Sequence, residues 1–147
     1  MSELANHNDA ELILKLYDLR REAVMREARK FVAEFWPKSV DDLMALAMNP
    51  GGNELAYFRQ VAGYWETAAS LVNRGALNRD LALDNFGEMF FMYAKVEPFV
   101  GAFREKMGIP QFLQQVSQLI DGSEETRERL EAMKKMQAEM QKRMAAR

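Results

Sequence analysis

Residues 79–108, "RDLALDNFGEMFFMYAKVEPFVGAFREKMG", decide the fold. Their apolar side chains do not keep to one side of a helix with 3.6 residues per turn. A helix that is apolar on several sides is usually surrounded by other elements. The stretch therefore predicts the central helix of an all-α protein. Its large apolar residues are Leu81, Leu83, Phe86, Met89, Phe90, Phe91, Met92, Tyr93, Phe99 and Phe103.

Proline and glycine set the shape and the end of this central helix. Pro98 has no amide hydrogen and its ring collides with the carbonyl of Ala94, so it predicts a kink. Gly108 fits the left-handed position that ends a helix. Pro110 suits the first position of a further helix, which would run to about Ile120.

The residues before the central helix predict a second long helix. In "ELAYFRQVAGYWETAASLVNRG", residues 54–75, apolar side chains recur at steps of three and four. Gly63 lies beside this stripe, where a small residue allows another helix to approach closely. Gly75 fits the end of the helix, and Asn78 fits the N-cap of the next one.

The first third of the chain predicts one long and one short helix. Asn8 and Glu11 have the spacing of a capping box, and an apolar stripe runs from there to Trp36, before Pro37. Ser39 would cap a short helix. "NPGGN", residues 49–53, is either a tight turn or a mobile hinge, and short connections of this kind favour the turn.

The last helix carries methionines among charges, in "RERLEAMKKMQAEMQKRM", residues 127–144. Apolar steps of three and four follow heptad order with one glutamine as a polar interruption. This stripe needs cover, and three alternatives remain: it folds back on its own domain, it pairs with a second copy, or it binds a different partner. The predicted interaction surface is Leu130, Met133, Met136, Gln137, Met140 and Met144.

Together these patterns predict an all-α, compact helical bundle of about five or six helices, with a kinked central helix and a Met-striped C-terminal helix. No stretch alternates with a period of two between turn signals, so no sheet is expected. The chain of 147 residues fits one domain. Within residues 1–147 we expect a flexible N-terminus at 1–7, core helices at 53–121 and a C-terminal amphipathic helix at 123–147.

Composition lowers the expectation of several chemistries. The chain has no cysteine and a single histidine, so thiolate catalysis, zinc–thiolate sites and His-rich metal sites are not expected. Its 20 basic and 22 acidic residues argue against a broad nucleic-acid surface. No signal peptide or membrane span is visible in the sequence, so the expected location is cytoplasmic. We therefore predict no cofactor, no metal site and no nucleic-acid partner.

Three acids form the one candidate cation site. Asp80, Asp84 and Glu88 are spaced by four residues and would share one edge of a helix. Hard cations usually take oxygen ligands from loops as well as helices, so a solvated face is the favoured interpretation.

The block from Asn53 to Arg104 carries a resemblance. An aromatic-rich helix is followed by "LVNRGALNRDLALDNFG" and then by a long helix with "EPFVGAFR". In these features the chain resembles a family of small bacterial all-helical proteins known only as a domain of unknown function. Members often carry an N-terminal membrane helix, for which this sequence shows no candidate. The resemblance implies an all-α fold and no activity.

Abundant apolar helical faces and few catalytic side chains predict a non-enzymatic protein–protein interaction or oligomerisation module, whose partner is a second copy or another protein. The alternative is a carrier or sensor that binds an apolar small molecule between helices. The expected place for such a molecule is the bend at Pro98, because bends open gaps between helices. Phe86, Phe90, Phe91, Tyr93 and Phe99 would line it.

Overall fold

The computed structural model describes residues 3–146, which form eight helices and no strand. The helices are α1 (His7–Arg20), α2 (Ala23–Glu34), α3 (Val40–Ala47), α4 (Asn53–Asn73), α5 (Arg79–Asn85), α6 (Gly87–Met107), α7 (Gln114–Asp121) and α8 (Glu124–Ala145). The all-α prediction is confirmed. The predicted count of five or six helices is wrong, because two stretches expected to be continuous are each divided in two.

The first division separates α1 from α2. The backbone of Glu22 is extended, with φ −60° and ψ 145°, and its carboxylate accepts hydrogen bonds from the amides of Val24 and Met25. Glu22 thus acts as the N-cap of a new helix, a role for which glutamate is not among the favoured residues. These hydrogen bonds lower the pKa of the Glu22 carboxyl.

The start of α1 also differs from the prediction. The capping box is formed by Asn6 and Asp9, whose side chains and backbone amides bond reciprocally at 2.9 and 3.0 Å. The pair predicted for this role, Asn8 and Glu11, lies inside the helix. Consequently α1 begins at His7, one residue inside the segment expected to be flexible.

The second division separates α5 from α6 at Phe86, whose backbone leaves the helical region with φ −102° and ψ 28°. The Phe86 ring is fully buried and packs edge-on against Trp65, with ring centroids 5.2 Å apart. Gly87 follows, and a Cβ there would lie 3.7 Å from the guanidinium of Arg129 on α8. Tertiary packing therefore overrides the helical pattern of the sequence at this point.

The start of α7 lies at Gln114 and not at Pro110. Residues 109–113 form a turn that ends on Leu113, which has the left-handed backbone angle φ 51°. Such a conformation costs about 1–2 kcal/mol for a residue other than glycine. Leu113 is buried, so packing holds it in this conformation.

The helices α4 and α6 form the two sides of the core. α4 packs against α2 and α7, and α6 packs against α3 and α8. The expectation that the central stretch is surrounded is confirmed, since α6 buries residues on several sides. Pro98 lies inside α6, and its kink stays a prediction. The largest fully buried side chains include Trp65, Phe86, Phe90, Leu77, Met89 and Met92.

Buried polar side chains fix the helix junctions. The Asp9 carboxylate accepts the backbone amide of Asn78 at 2.9 Å and so joins the beginnings of α1 and α5. The Thr126 hydroxyl donates to the carbonyl of Ile120 at 2.5 Å, within the connection from α7 to α8. Both side chains are buried.

We expect Thr126→Val to lower the free energy of unfolding by about 1–3 kcal/mol, because the nearly isosteric side chain leaves the buried carbonyl of Ile120 without its donor. Urea denaturation followed by circular dichroism measures this change. The matched control is Thr67→Val on the exposed side of α4, for which the change should stay within about 0.5 kcal/mol. Equal effects of the two substitutions would contradict a structural role for the Thr126 hydroxyl.

Candidate functional site

The predicted interaction surface of α8 divides into a buried and an exposed part. Leu130 and Gln137 are 4% and 5% exposed, and Met133 is half-buried. Met136, Met140 and Met144 are 47%, 37% and 55% exposed. We call these last three residues the distal methionine surface. The first part of the stripe thus completes the core of its own domain, and only the second part is available to another molecule.

Gln137 marks the point where the packed part of α8 ends. Its side-chain amide donates to the carbonyl of Phe91 on α6 at 2.8 Å. One turn earlier, the ammonium of Lys134 lies 2.8 Å from the Glu97 carboxylate and 3.2 Å from that of Glu131. Partial burial lowers the pKa of Lys134, but the two carboxylates together raise it above its ordinary value. The polar interruption of the heptad pattern is therefore a polar anchor on the same chain.

Beyond Gln137 every described residue of α8 is exposed. This segment, residues 138–146, extends for about 13 Å at a helical rise of 1.5 Å per residue. Met140 and Met144 lie on it, on the same side of the helix as Leu130 and Gln137. The apolar stripe of α8 thus continues beyond Gln137, the last buried residue of the helix.

An apolar cavity of about 310 Å³ is the second candidate site. It lies between α3, α4, the last turns of α6 and the turn at 109–113, and we call it the α3–α4 cavity. Three polar side chains, Arg59, Glu66 and Gln111, border it. Its apolar walls include Leu43, Leu46, Phe58, Phe103, Phe112 and Leu113.

The predicted place for an apolar ligand, beside Pro98, differs from the α3–α4 cavity and stays a prediction. None of the five aromatic residues expected to line a gap beside Pro98 borders the α3–α4 cavity. Phe86 and Phe90 are fully buried, and the Tyr93 hydroxyl is bonded to that of Ser117 at 2.7 Å. These three side chains are packed in the core, whereas Phe91 and Phe99 are partly exposed. The cavity borders come from four separate stretches of sequence, so no local pattern could have indicated them.

Glu66 has a role that the sequence did not reveal. Its two carboxylate oxygens accept the backbone amides of Gln115 and Val116 at 3.0 and 2.9 Å. These amides belong to the first turn of α7, where negative charge is favourable. Glu66 thus caps a helix that begins some fifty residues later in the chain.

Lys95 is the most unusual titratable group in the described residues. It is 6% exposed, and its ammonium donates to the carbonyls of Val32 and Ala33 at the end of α2. The same ammonium lies 3.9 Å from the centre of the Trp36 ring and 4.5 Å from that of Phe91. Burial lowers the pKa of Lys95 from 10.5 to about 8. No carboxylate lies within ion-pairing distance of it among residues 3–146.

The candidate cation site is not formed. Asp80 and Asp84 are exposed on α5, whereas Glu88 lies on α6 beyond the break at Phe86. Glu88 instead pairs with Arg29 at 2.8 Å and with Arg20 at 3.6 Å. In the part of the chain that the structure describes, no three His, Cys, Asp or Glu side chains are grouped to hold a metal ion. None of the eight helices in this part has the length and apolar character needed to cross a membrane.

We expect the stability contributed by Lys95 to rise between pH 8 and pH 10.5, the folded and ordinary pKa values. In this window the unfolded state binds more protons than the folded state, so the free energy of unfolding increases with pH. The full gain is on the order of 3 kcal/mol. Urea denaturation across this range should therefore show a pH-dependent gain in the wild type that Lys95→Met lacks.

The control for this experiment is Lys106→Met, which removes an exposed lysine from the same helix. Its pH dependence should follow that of the wild type, since every other titrating group is unchanged. Parallel curves for Lys95→Met and the wild type would show that burial does not perturb Lys95.

A family model describing a domain of unknown function, DUF4760, matches residues 6–123 of the chain. No curated protein and no solved structure matches the chain. The match extends the resemblance seen at residues 53–104 to all helices from α1 to α7, and it ends at Ser123, the N-cap of α8. Because the matched residues make up well over half of the sequence, the chain belongs to the DUF4760 family.

Proposed function

We propose that the protein is a non-enzymatic interaction module that forms a homodimer through the distal methionine surface. The observation that carries this proposal is the exposure of Met136, Met140 and Met144 beside and beyond Gln137, on the end of α8 where every residue from 138 to 146 is exposed.

A partner that covers the end of α8 would stabilise it. Residues 138–146 continue a packed helix but are exposed throughout, so tertiary packing adds little to the stability of this end of α8. Burying apolar area contributes about 25 cal/mol per Å², and flexible methionine side chains adapt to an irregular partner surface. A partner on this surface would both bury the methionines and hold the helix.

A second copy in the antiparallel direction would bring the two distal methionine surfaces together, since the earlier part of each α8 is already packed on its own domain. A two-fold axis would then make the same contacts twice, as in most homodimers.

The size of the contact indicates a weak dimer. Stable interfaces bury about 1,200–2,000 Å² in total, and the distal methionine surface spans only about two turns of helix. Two heptads with methionine and one buried glutamine give little coiled-coil stability by themselves. We therefore expect an association that depends on protein concentration.

We expect the double substitution Met140→Glu and Met144→Glu to abolish dimerisation, because it would place like charges in an apolar contact. Sedimentation equilibrium of the full chain measures the outcome as a function of concentration. The wild type should approach twice the chain mass of 16.9 kDa at high concentration, and the double variant should stay at the chain mass.

The matched control is Ala138→Glu with Ala145→Glu, which adds the same two charges to exposed positions on the other side of the same helical segment. It should dimerise like the wild type. A wild type that stays monomeric at every concentration would overturn the proposal, and so would equal loss of dimer in both double variants.

A further inference from the structure

The α3–α4 cavity has the size and lining of a small-molecule site. Its volume of about 310 Å³ lies at the lower end of the range for ligand pockets. An apolar cavity of about 150 Å³ holds one benzene molecule, so this space suits a ligand of about twelve non-hydrogen atoms. Leucine and phenylalanine side chains make its walls, which favours an apolar body over a polar one.

Gly63 keeps the cavity open. It lies in the middle of α4 and is exposed, and a Cβ built on it would meet no atom within 4 Å. The predicted close approach of another helix at this position is therefore wrong. A glycine in mid-helix lowers helix stability relative to alanine. Gly63 borders the cavity, and because it has no side chain the opening there is unobstructed.

The charges at the cavity are not equivalent. Both oxygens of Glu66 are occupied by amides of α7, so this carboxylate has its partners already. The guanidinium of Arg59, one helical turn before Gly63, is exposed and has no hydrogen-bond or ion-pair partner among residues 3–146. The charge that remains available to a ligand is therefore positive.

We propose that the α3–α4 cavity binds a small apolar molecule with one anionic head group, of the chemical class of medium-chain carboxylates. The apolar chain occupies the space between α3, α4 and α6, and the carboxylate pairs with Arg59 at the opening beside Gly63. This site contains no residue of α8, so its occupation does not depend on the proposed homodimer.

Isothermal titration calorimetry of the full chain tests the proposal with octanoate, octanol and octylamine as probes. Octanoate should bind about two- to fivefold more tightly than octanol, the contribution of a solvent-exposed ion pair, and octylamine should bind most weakly. Arg59→Gln should reduce octanoate binding to the level of octanol, because the apolar contacts remain and the cation is gone.

Gly63→Leu should abolish binding of all three probes by placing a side chain in the opening. Its matched control is Gly101→Leu, at an exposed glycine in the middle of α6 that does not border the cavity and whose Cβ would also meet no atom within 4 Å. Both substitutions should raise the melting temperature, since leucine favours helix more than glycine does. Only Gly63→Leu should change binding.

Four results would overturn the proposal. If no probe gives heat on titration, the cavity does not bind molecules of this class. If octanoate and octanol bind the wild type with equal affinity, Arg59 does not contribute to binding. If the Gly63→Leu variant binds the probes as the wild type does, the ligand lies outside the α3–α4 cavity. Loss of binding in Gly101→Leu would show that the effect of the glycine substitutions is not local to the cavity.

Discussion

The contact between the Glu66 carboxylate and the first turn of α7 is the constraint on which much of this structure depends. α7 follows a left-handed leucine and has no N-cap side chain of its own, so its free amides need an acceptor from elsewhere. Glu66 supplies it from α4. From α6, the guanidinium of Arg104 binds the carbonyl of Phe112 and the hydroxyl of Ser117. α7 and the turn before it are thus fixed to both sides of the core.

This arrangement connects the two candidate sites. The turn at 109–113 supplies one wall of the α3–α4 cavity, and its position depends on the Glu66 and Arg104 contacts. α7 also packs against α8, and the bond from Thr126 to Ile120 fixes the connection between them. The direction in which α8 leaves the domain, and hence the place where its methionines emerge, follows from the same anchored helix.

The sequence predicts the features of the fold that depend on local chemistry. Ser39 and Asn78 cap helices as expected, and Gly75 and Gly108 have the left-handed backbone that ends one. The features that were missed depend on residues distant in sequence: Phe86 interrupts a helical pattern because its ring packs against Trp65. Glu66 is likewise a helix cap only because the chain brings α7 beside α4. Neither contact has a periodic or spacing signal that could indicate it.

The two proposed sites differ in their relation to the family. Every residue that borders the α3–α4 cavity lies within the stretch matched by the family model, whereas the distal methionine surface lies beyond Ser123, where the match ends. A heptad-like stripe identified α8 as a surface needing cover, but the stripe has one pattern throughout and cannot indicate where the domain beneath it ends. That boundary is set by Gln137 and the carbonyl of Phe91, a contact between two helices. The cavity therefore depends on the packing of α1 to α7, whereas the exposure of the distal methionine surface depends on the length of α8.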